Sequence, residues 1–365
     1  MKIKAAVTHY QGQEFVFEEV ELAEPKESEI LVKMVACGIC HTDAVARDQG
    51  LPVPLPAVFG HEGAGIVEKV GSAVQSFKPG DHVVLSFFSC GKCEACLSGY
   101  PYICDQYDQV NFTGVYKDNT KRLSQNGEKI STFFGQSSFA TYAVSDERNA
   151  VKIDDDVDLA LMGPLGCGIQ TGAGAVFNKL RPKANSSLVV FGCGCVGLCA
   201  VMAAKVAGCG QIIGVDAVPS RLELAKELGA THVINGKEVN DIVAEIMKIT
   251  GKGADYSIET TAVPALTSQA LYCLKLLGTC VTVASTGEEE IPIKLQYALM
   301  GVGKTLVGCV EGESIPQVFI PQLVRLYKEG KFPIDKLVKF YSFEDINKAF
   351  EDSHNGVAIK PIIKF

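Results

Sequence analysis

Between residues 187 and 284, short apolar runs alternate with longer segments of helical period, and this alternation narrows the fold more than any other feature of the chain. Residues 187–191, 211–215, 231–234, 256–259 and 279–284 are rich in β-branched residues and read as strands. The stretches 196–207, 220–228, 239–250 and 264–276 read as helices. Strands joined by helical crossovers predict a doubly wound parallel sheet with helices on both faces. Gly192-Cys193-Gly194-Cys195-Val196-Gly197 stands between the first strand and the first helix. In that setting G-x-G-x-x-G is a dinucleotide turn. Gly192 permits the bend, Gly194 lets the backbone approach a pyrophosphate, and Gly197 lets helix and strand pack closely. Asp216 ends the next strand, where a carboxylate bonds ribose hydroxyls and repels a 2′-phosphate, so NAD is expected over NADP. Arg221 is near enough in sequence to touch the adenosine side.

The first half has a different texture. Residues 4–8, 15–20, 30–36, 65–70 and 82–86 are short strand-like runs separated by Pro and Gly clusters, and 51–56 is an extended Pro-rich loop. Residues 105–138 show neither period and are expected to form a long loop. At 365 residues the chain is long enough for two domains. The expected division is 1–168, carrying a lobe at 88–105, then 169–308, with 309–365 returning to the first domain. The helices 316–328 and 343–353 and a closing strand 359–365 fall in that last part. A net charge of −8 without a Lys/Arg cluster argues against nucleic acid. No apolar run is long enough to span a membrane, and the N-terminal stretch lacks a signal-peptide core, so a cytoplasmic protein is expected.

Fourteen cysteines in such a chain read as metal ligands and buried thiols. Cys90, Cys93, Cys96 and Cys104 lie in one Gly/Ser-rich segment, a spacing that fits a closed tetrahedral zinc site. A bacterial iron–sulfur motif would have three residues before its fourth Cys and a Pro after it; here there are seven, and Asp105 follows. A second constellation is open. Cys40 and His61 can share zinc, and Glu62 can sit in the outer shell. Two ligands are too few, and the third is sought among the remaining cysteines. Cys167 stands out, in the Gly-rich turn 164–172 at the junction of the two halves. Cys37 ends an apolar strand and is expected to pack.

Together, Gly60-His61-Glu62-Gly63-Ala64-Gly65 with Gly71 and Val74, the four-cysteine lobe, the Cys167 turn, the glycine turn and Asp216 follow the order of the zinc-dependent medium-chain alcohol dehydrogenases, and the chain resembles that family over essentially its whole length. Residues 164–174 look most like the aryl- or benzyl-alcohol subgroup. The resemblance implies a β-rich GroES-like catalytic domain and a Rossmann cofactor domain. It implies zinc on Cys40, His61 and Cys167, with Glu62 as outer-shell or alternative ligand and Asp43 orienting His61. Thr42 matches the hydroxyl that relays the alcohol proton. His41 and Lys360 match pyrophosphate contacts, Thr171 and Val196 match positions beside the nicotinamide, and Phe133 and Phe134 fall where the family lines its substrate pocket. Family members are dimers or tetramers. One position departs from many members: Val45 stands where they carry a His that passes the proton to water.

The implied reaction is reversible, NAD-linked oxidation of a primary, aromatic or otherwise bulky alcohol to its aldehyde, with two zinc ions per chain. Oxidation of a glutathione–formaldehyde adduct or of short aliphatic alcohols is the alternative within enzymes. Asp105 and Asp108 without Lys or Arg in the loop 104–114 speak against an anionic adduct. A zinc- and NAD-binding protein without turnover is the alternative from another class. An open-coordination site such as Cys40, His61, Cys167 and Thr42 would be superfluous there.

Overall fold

Ser187–Phe191 forms a strand in which every residue is buried, and five more strands line up around it. The order is His232–Asn235, Gln211–Asp216, Ser187–Phe191, Ala254–Glu259, Leu274–Thr282, Thr305–Gly308, and all neighbours are parallel. The chain steps outward on one side of Ser187–Phe191 and then returns to build the other side. That reversal opens a crevice at the carboxyl ends of the strands. A computed structural model describes all 365 residues. This sheet belongs to the unit formed by Ile169–Ser314 and Glu329–Pro333.

One helix is shorter than expected. The reading 264–276 stops at Tyr272, and the strand Leu274–Thr282 begins two residues later. The leucines that mimic a helical period, Leu276 and Leu277, instead stand exposed on the strand beside a register irregularity, with Leu277 at φ 63°.

The other unit comprises Met1–Gly168, Ile315–Lys328 and Ile334–Phe365. Its larger sheet runs Ala150–Ile153, His82–Leu85, Glu62–Val70, Glu29–Gly38, Lys360–Lys364, Val338–Ser342, and Tyr142–Asp146 also pairs with Glu29–Gly38. The closing strand lies antiparallel to Glu29–Gly38, with Ile362 opposite Gly38. This register carries Lys360 to the side of Ile39 and Glu62. A second sheet is built from Ala57–Val58, Lys2–Thr8, Val16–Leu22, Leu123–Gln125 and Glu128–Ile130. Beside it Phe15, Phe59, Phe133, Phe139 and Phe350 meet in one core, mostly edge to face.

The long loop expected at 105–138 is not one. It holds the helix Tyr107–Phe112 and a hairpin in which Gln125 pairs with Glu128. Asn126 and Gly127 turn the hairpin at φ 50° and 87°. An Asn-Gly pair between two short strands is the sequence signal of such a turn, although Ser124-Gln125 and Glu128-Lys129 are too polar to show a strand period.

A buried carboxylate ties two segments of this unit. Asp81 accepts hydrogen bonds from the Lys78 backbone (3.0 Å) and from the ammonium groups of Lys78 and Lys152 (both 2.8 Å). Burial would raise its pKa, but the lysines outweigh burial and hold it at about 2, below the ordinary 3.8. A depressed carboxylate stabilises the fold above its unfolded pKa, and that contribution is lost as pH falls from about 4 through 2. Because both lysines are exposed, it amounts to about 1–2 kcal/mol. Asp81→Asn is expected to lose that much at neutral pH and to flatten the acid limb of the stability curve. An acid limb identical to the parent's in urea titrations would contradict this.

Candidate metal and dinucleotide sites

Cys40 caps the short helix His41–Arg47, and Asp43 sits one turn in. Asp43 is wholly buried. One of its oxygens accepts the Cys40 N–H (3.1 Å). The other lies 3.0 Å from the Gly60 nitrogen and 2.8 Å from His61 Nδ1. A single carboxylate therefore joins two segments, assigns the Nδ1 proton, and leaves Nε2 as the free lone pair of the imidazole. That Nε2 is buried and has no hydrogen-bond partner. Ligand-type atoms of Cys40, His61, Glu62 and Cys167 all lie within 4.8 Å of one another. The Cys40 thiol is held well below its ordinary pKa by the hydrogen bond to Cys167, and also by His61, against burial. An orphaned nitrogen facing two thiols, one of them poised as thiolate, is a donor set that suits zinc.

Glu62 has its own partners. Lys360 Nζ is 2.9 Å from both carboxylate oxygens and 3.1 Å from the Ile39 carbonyl. The Gly168 N–H donates to Oε1 at 3.1 Å. Both side chains of the pair are buried. Gly38 makes room for it, since a Cβ there would lie 2.1 Å from Glu62 Oε2. Lys360, which the resemblance matches to a pyrophosphate contact, has its ammonium buried on Glu62 here, where the closing strand pairs beside Gly38. Thr42 is half-buried, its Oγ1 3.6 Å from Cys40 Sγ, and His41 is exposed at the start of the helix. Phe133 and Phe134 were expected to line the substrate pocket. The structure buries both, with 0% and 3% of their surface exposed, and turns them onto His61.

Gln136 was missed altogether. It is buried, and its amide donates to the His61 and Ser86 carbonyls (both 3.1 Å) while accepting from Gly63 N–H and Ser138 Oγ. A Gln in a polar stretch carries no sequence signal for that role.

Cys90, Cys93, Cys96 and Cys104 also converge, with all four sulfurs within 4.8 Å of one another. The Cys90–Cys96 and Cys93–Cys104 separations are 4.0 and 3.9 Å. Four zinc–sulfur bonds of about 2.3 Å in a tetrahedron imply sulfur separations of about 3.8 Å. Backbone N–H groups of Cys90, Cys93, Cys96 and Gln106 point at these sulfurs. Donors from Asp105 and Cys96 bring the Cys93 thiol down to about 6, whereas burial pushes Cys104 up to about 12. The lobe fits a closed zinc site.

In the other unit, Gly192 turns at φ 90°, and Gly197 lies so near that a Cβ would meet the Gly192 carbonyl at 1.8 Å. Gly194 has nothing within 4 Å of where a Cβ would stand, ahead of the helix Cys195–Val206. A close turn with open space before a helix N-terminus fits a pyrophosphate. Asp216 accepts the Cys193 N–H at 2.7 Å and the Ala217 and Val218 N–H groups. An Arg221 guanidinium nitrogen is 3.9 Å from its carboxylate, and Arg221 Nε is buried without a partner. The helix Gly168–Gly174, which bears Thr171, crosses the start of Cys195–Val206 at Gly172, where a Cβ would come within 2.0 Å of the Val196 carbonyl. Thr171 and Val196 thus stand on adjoining backbones.

Relatives agree with this architecture. Residues 26–155 match the family described as alcohol dehydrogenase GroES-like domain, and residues 195–329 match zinc-binding dehydrogenase. The chain is 43% identical to a geraniol dehydrogenase of Castellaniella defragrans, over 99% of this chain and 97% of that protein. It superposes on the crystal structure of benzyl alcohol dehydrogenase from Acinetobacter calcoaceticus with a TM-score of 0.96 at 49% identity, covering 100% of this chain and 99% of that one. An alcohol dehydrogenase zinc-binding domain protein from Burkholderia ambifaria gives 0.97, also at 49% identity, with the same coverage. No helix is long and apolar enough to cross a membrane. With a GroES-like sheet that carries two clusters of zinc-type donors and a six-stranded parallel sheet that carries a dinucleotide turn, the chain belongs to the zinc-binding medium-chain alcohol dehydrogenases.

Proposed function

We propose that the chain oxidises primary alcohols whose carbinol carbon adjoins a double bond or an aromatic ring, passing hydride to NAD. The observation that carries this reading is the convergence of Cys40, His61 and Cys167 around the orphaned Nε2 of His61. Geraniol and benzyl alcohol, named for two relatives, share the allylic or benzylic carbinol. Aromatic rings at Phe112, Phe133 and Phe134 give the surroundings of His61 the matching apolar character.

Zinc held by Cys40, His61 and Cys167 would supply Lewis acidity to an alcohol oxygen, and bound NAD would supply the hydride acceptor. The chain's own groups set the conditions. Asp43 keeps the proton on His61 Nδ1, so that Nε2 stays a ligand. Lys360 and the Gly168 N–H hold Glu62 in the outer shell. Thr42 Oγ1 takes the alcohol proton. Val45, one turn along the same helix, offers no further acceptor. The N-terminus of Cys195–Val206 receives the pyrophosphate, and Asp216 receives the ribose hydroxyls and disfavours a 2′-phosphate.

NADH absorbance measured with geraniol, benzyl alcohol, ethanol and a glutathione–formaldehyde adduct tests this. The kcat/KM values for the first two should exceed that for ethanol by roughly tenfold or more, since each well-buried extra group is worth about 1–3 kcal/mol of discrimination. Equal activity on ethanol, or preference for the anionic adduct, would contradict the substrate class.

We also propose a homo-oligomer. Thr305–Gly308 is an edge strand, and Leu277 lies against Gly303 just before it. Leu276, Leu277, Leu295, Tyr297 and Met300 are each more than 60% exposed on the same unit. A paired edge and a covered apolar patch are what a second copy would provide. Sedimentation velocity should show a dimer or larger; a monomer at micromolar concentration would overturn this.

A further inference from the structure

Phe134 has a backbone that a bulky residue rarely adopts. Its φ is 52°, and that of the next residue, Gly135, is 59°. Left-handed residues of this size persist only where their surroundings over-determine them, and here they do. The Phe134 N–H donates to the Asn111 carbonyl at 3.0 Å. Asn149 Nδ2 donates to the Phe134 carbonyl at 3.0 Å, and Ser145 Oγ donates to that of Gly135 at 3.0 Å. Asn111, Ser145 and Asn149 are all buried. Two buried polar side chains, Ser145 and Asn149, together with the Asn111 carbonyl thus maintain one unfavourable turn.

What the turn achieves is the placement of a ring. Phe134 lies nearly parallel to the imidazole of His61, with centroids 4.5 Å apart and planes at 22°. Phe133 meets the same imidazole edge-on, at 5.4 Å and 90°. Asp43 fixes Nδ1, and Gln136 holds the His61 carbonyl. Asp43 sets where the ring nitrogen lies, but a hydrogen bond at one atom leaves the ring able to tilt about that bond. A flat aromatic face removes the tilt.

We infer that Phe134 is a positioning residue whose left-handed backbone exists to stack its ring on His61 and so to fix the direction of the Nε2 lone pair. The inference deepens the reading of Cys40, His61 and Cys167 as zinc ligands and rests on it. It differs from a pocket-lining role, because it assigns the ring to the ligand and not to the alcohol.

The test replaces zinc by cobalt(II) and compares visible spectra, together with the rate of zinc transfer to a chromogenic chelator. The four-cysteine lobe contributes equally in every protein, so differences report the His61 site. Phe134→Leu keeps bulk and loses the ring. Phe134→Gly also loses the ring and suits the left-handed backbone. Both should shift the cobalt ligand-field bands and speed zinc release from one of the two sites by about tenfold or more, the usual effect of losing an outer-shell partner. Phe134→Tyr keeps the stacked ring and should retain the parent spectrum. Phe350→Leu removes a ring that packs on Phe15 and Phe139 in the same unit and serves as the core-packing control, with the parent spectrum. Parent-like spectra and release rates in both ring-less variants would overturn the inference, as would a Phe134→Tyr spectrum displaced as far as that of Phe134→Leu. A parent protein that binds one metal per chain overturns the zinc reading and this inference with it. A parent that binds two, with unchanged variants, overturns only the positioning role.

Discussion

Replacing Cys167 by Ala is expected to lower the zinc content from two ions per chain to one and kcat/KM by roughly a thousandfold or more. The ligand-type atoms of Cys40, His61, Glu62 and Cys167 fall within 4.8 Å of one another, and Cys167 contributes the second sulfur. Without it Cys40 and His61 are two ligands, too few to keep zinc with an open position. Lewis-acid assistance worth several kcal/mol would go with the metal, at about 1.4 kcal/mol per decade of rate. Binding of NADH, read by its fluorescence, should persist, because the glycine turn and Asp216 belong to a unit that carries none of these ligands. Cys96→Ala should behave differently. It would open a closed lobe and lower stability, since metal binding at such sites is part of the folding free energy. Two zinc ions per chain in Cys167→Ala would remove this residue from the site.

The second large effect concerns stability. Lys360→Met is expected to destabilise the protein by about 3–5 kcal/mol, because it leaves a buried carboxylate without its cation. Glu62 is fully buried and Lys360 is 3% exposed. Burial already pushes the Glu62 carboxyl above its ordinary pKa, even with Lys360 pulling it down. The Gly168 N–H alone cannot replace an ammonium that touches both oxygens. Adding Glu62→Gln to Lys360→Met should restore much of the loss, the non-additivity expected of two residues in one buried pair. Denaturant unfolding of parent, single and double variants measures it. A Lys360→Met protein as stable as the parent would mean that the pair contributes nothing.

Much of this was readable from the residues alone, and the parts that were not have identifiable causes. The parallel strands declared themselves because both faces of Ser187–Phe191 are buried, which turns a strand into an unbroken apolar run. The glycine turn and the four-cysteine lobe are local, so spacing alone reports them. Cys167 could be singled out by its Gly-rich setting, but its approach to Cys40 across 127 positions of chain is a property of the fold. The hairpin at Asn126-Gly127 shows no strand period, because its strands are three residues each and polar apart from Leu123 and Ile130, so the Asn-Gly pair is its one sequence signal. The pairing of Lys360 with Glu62 is not legible in the sequence, because charge and position in the chain do not say which side of a closing strand a residue faces. The register opposite Gly38 decides that. Gln136 and the left-handed Phe134 were invisible for a related reason, since their roles lie in buried hydrogen bonds and ring contacts between segments far apart in sequence.

Two zinc ions are expected in this chain, one of them held by Cys40, His61 and Cys167. Anomalous X-ray scattering from crystals of the zinc-loaded protein, recorded on either side of the zinc absorption edge, tests it most directly. Two peaks are expected in each chain, one among Cys40 Sγ, His61 Nε2 and Cys167 Sγ and one among the sulfurs of Cys90, Cys93, Cys96 and Cys104. A single peak in the lobe, with none beside His61, would contradict it.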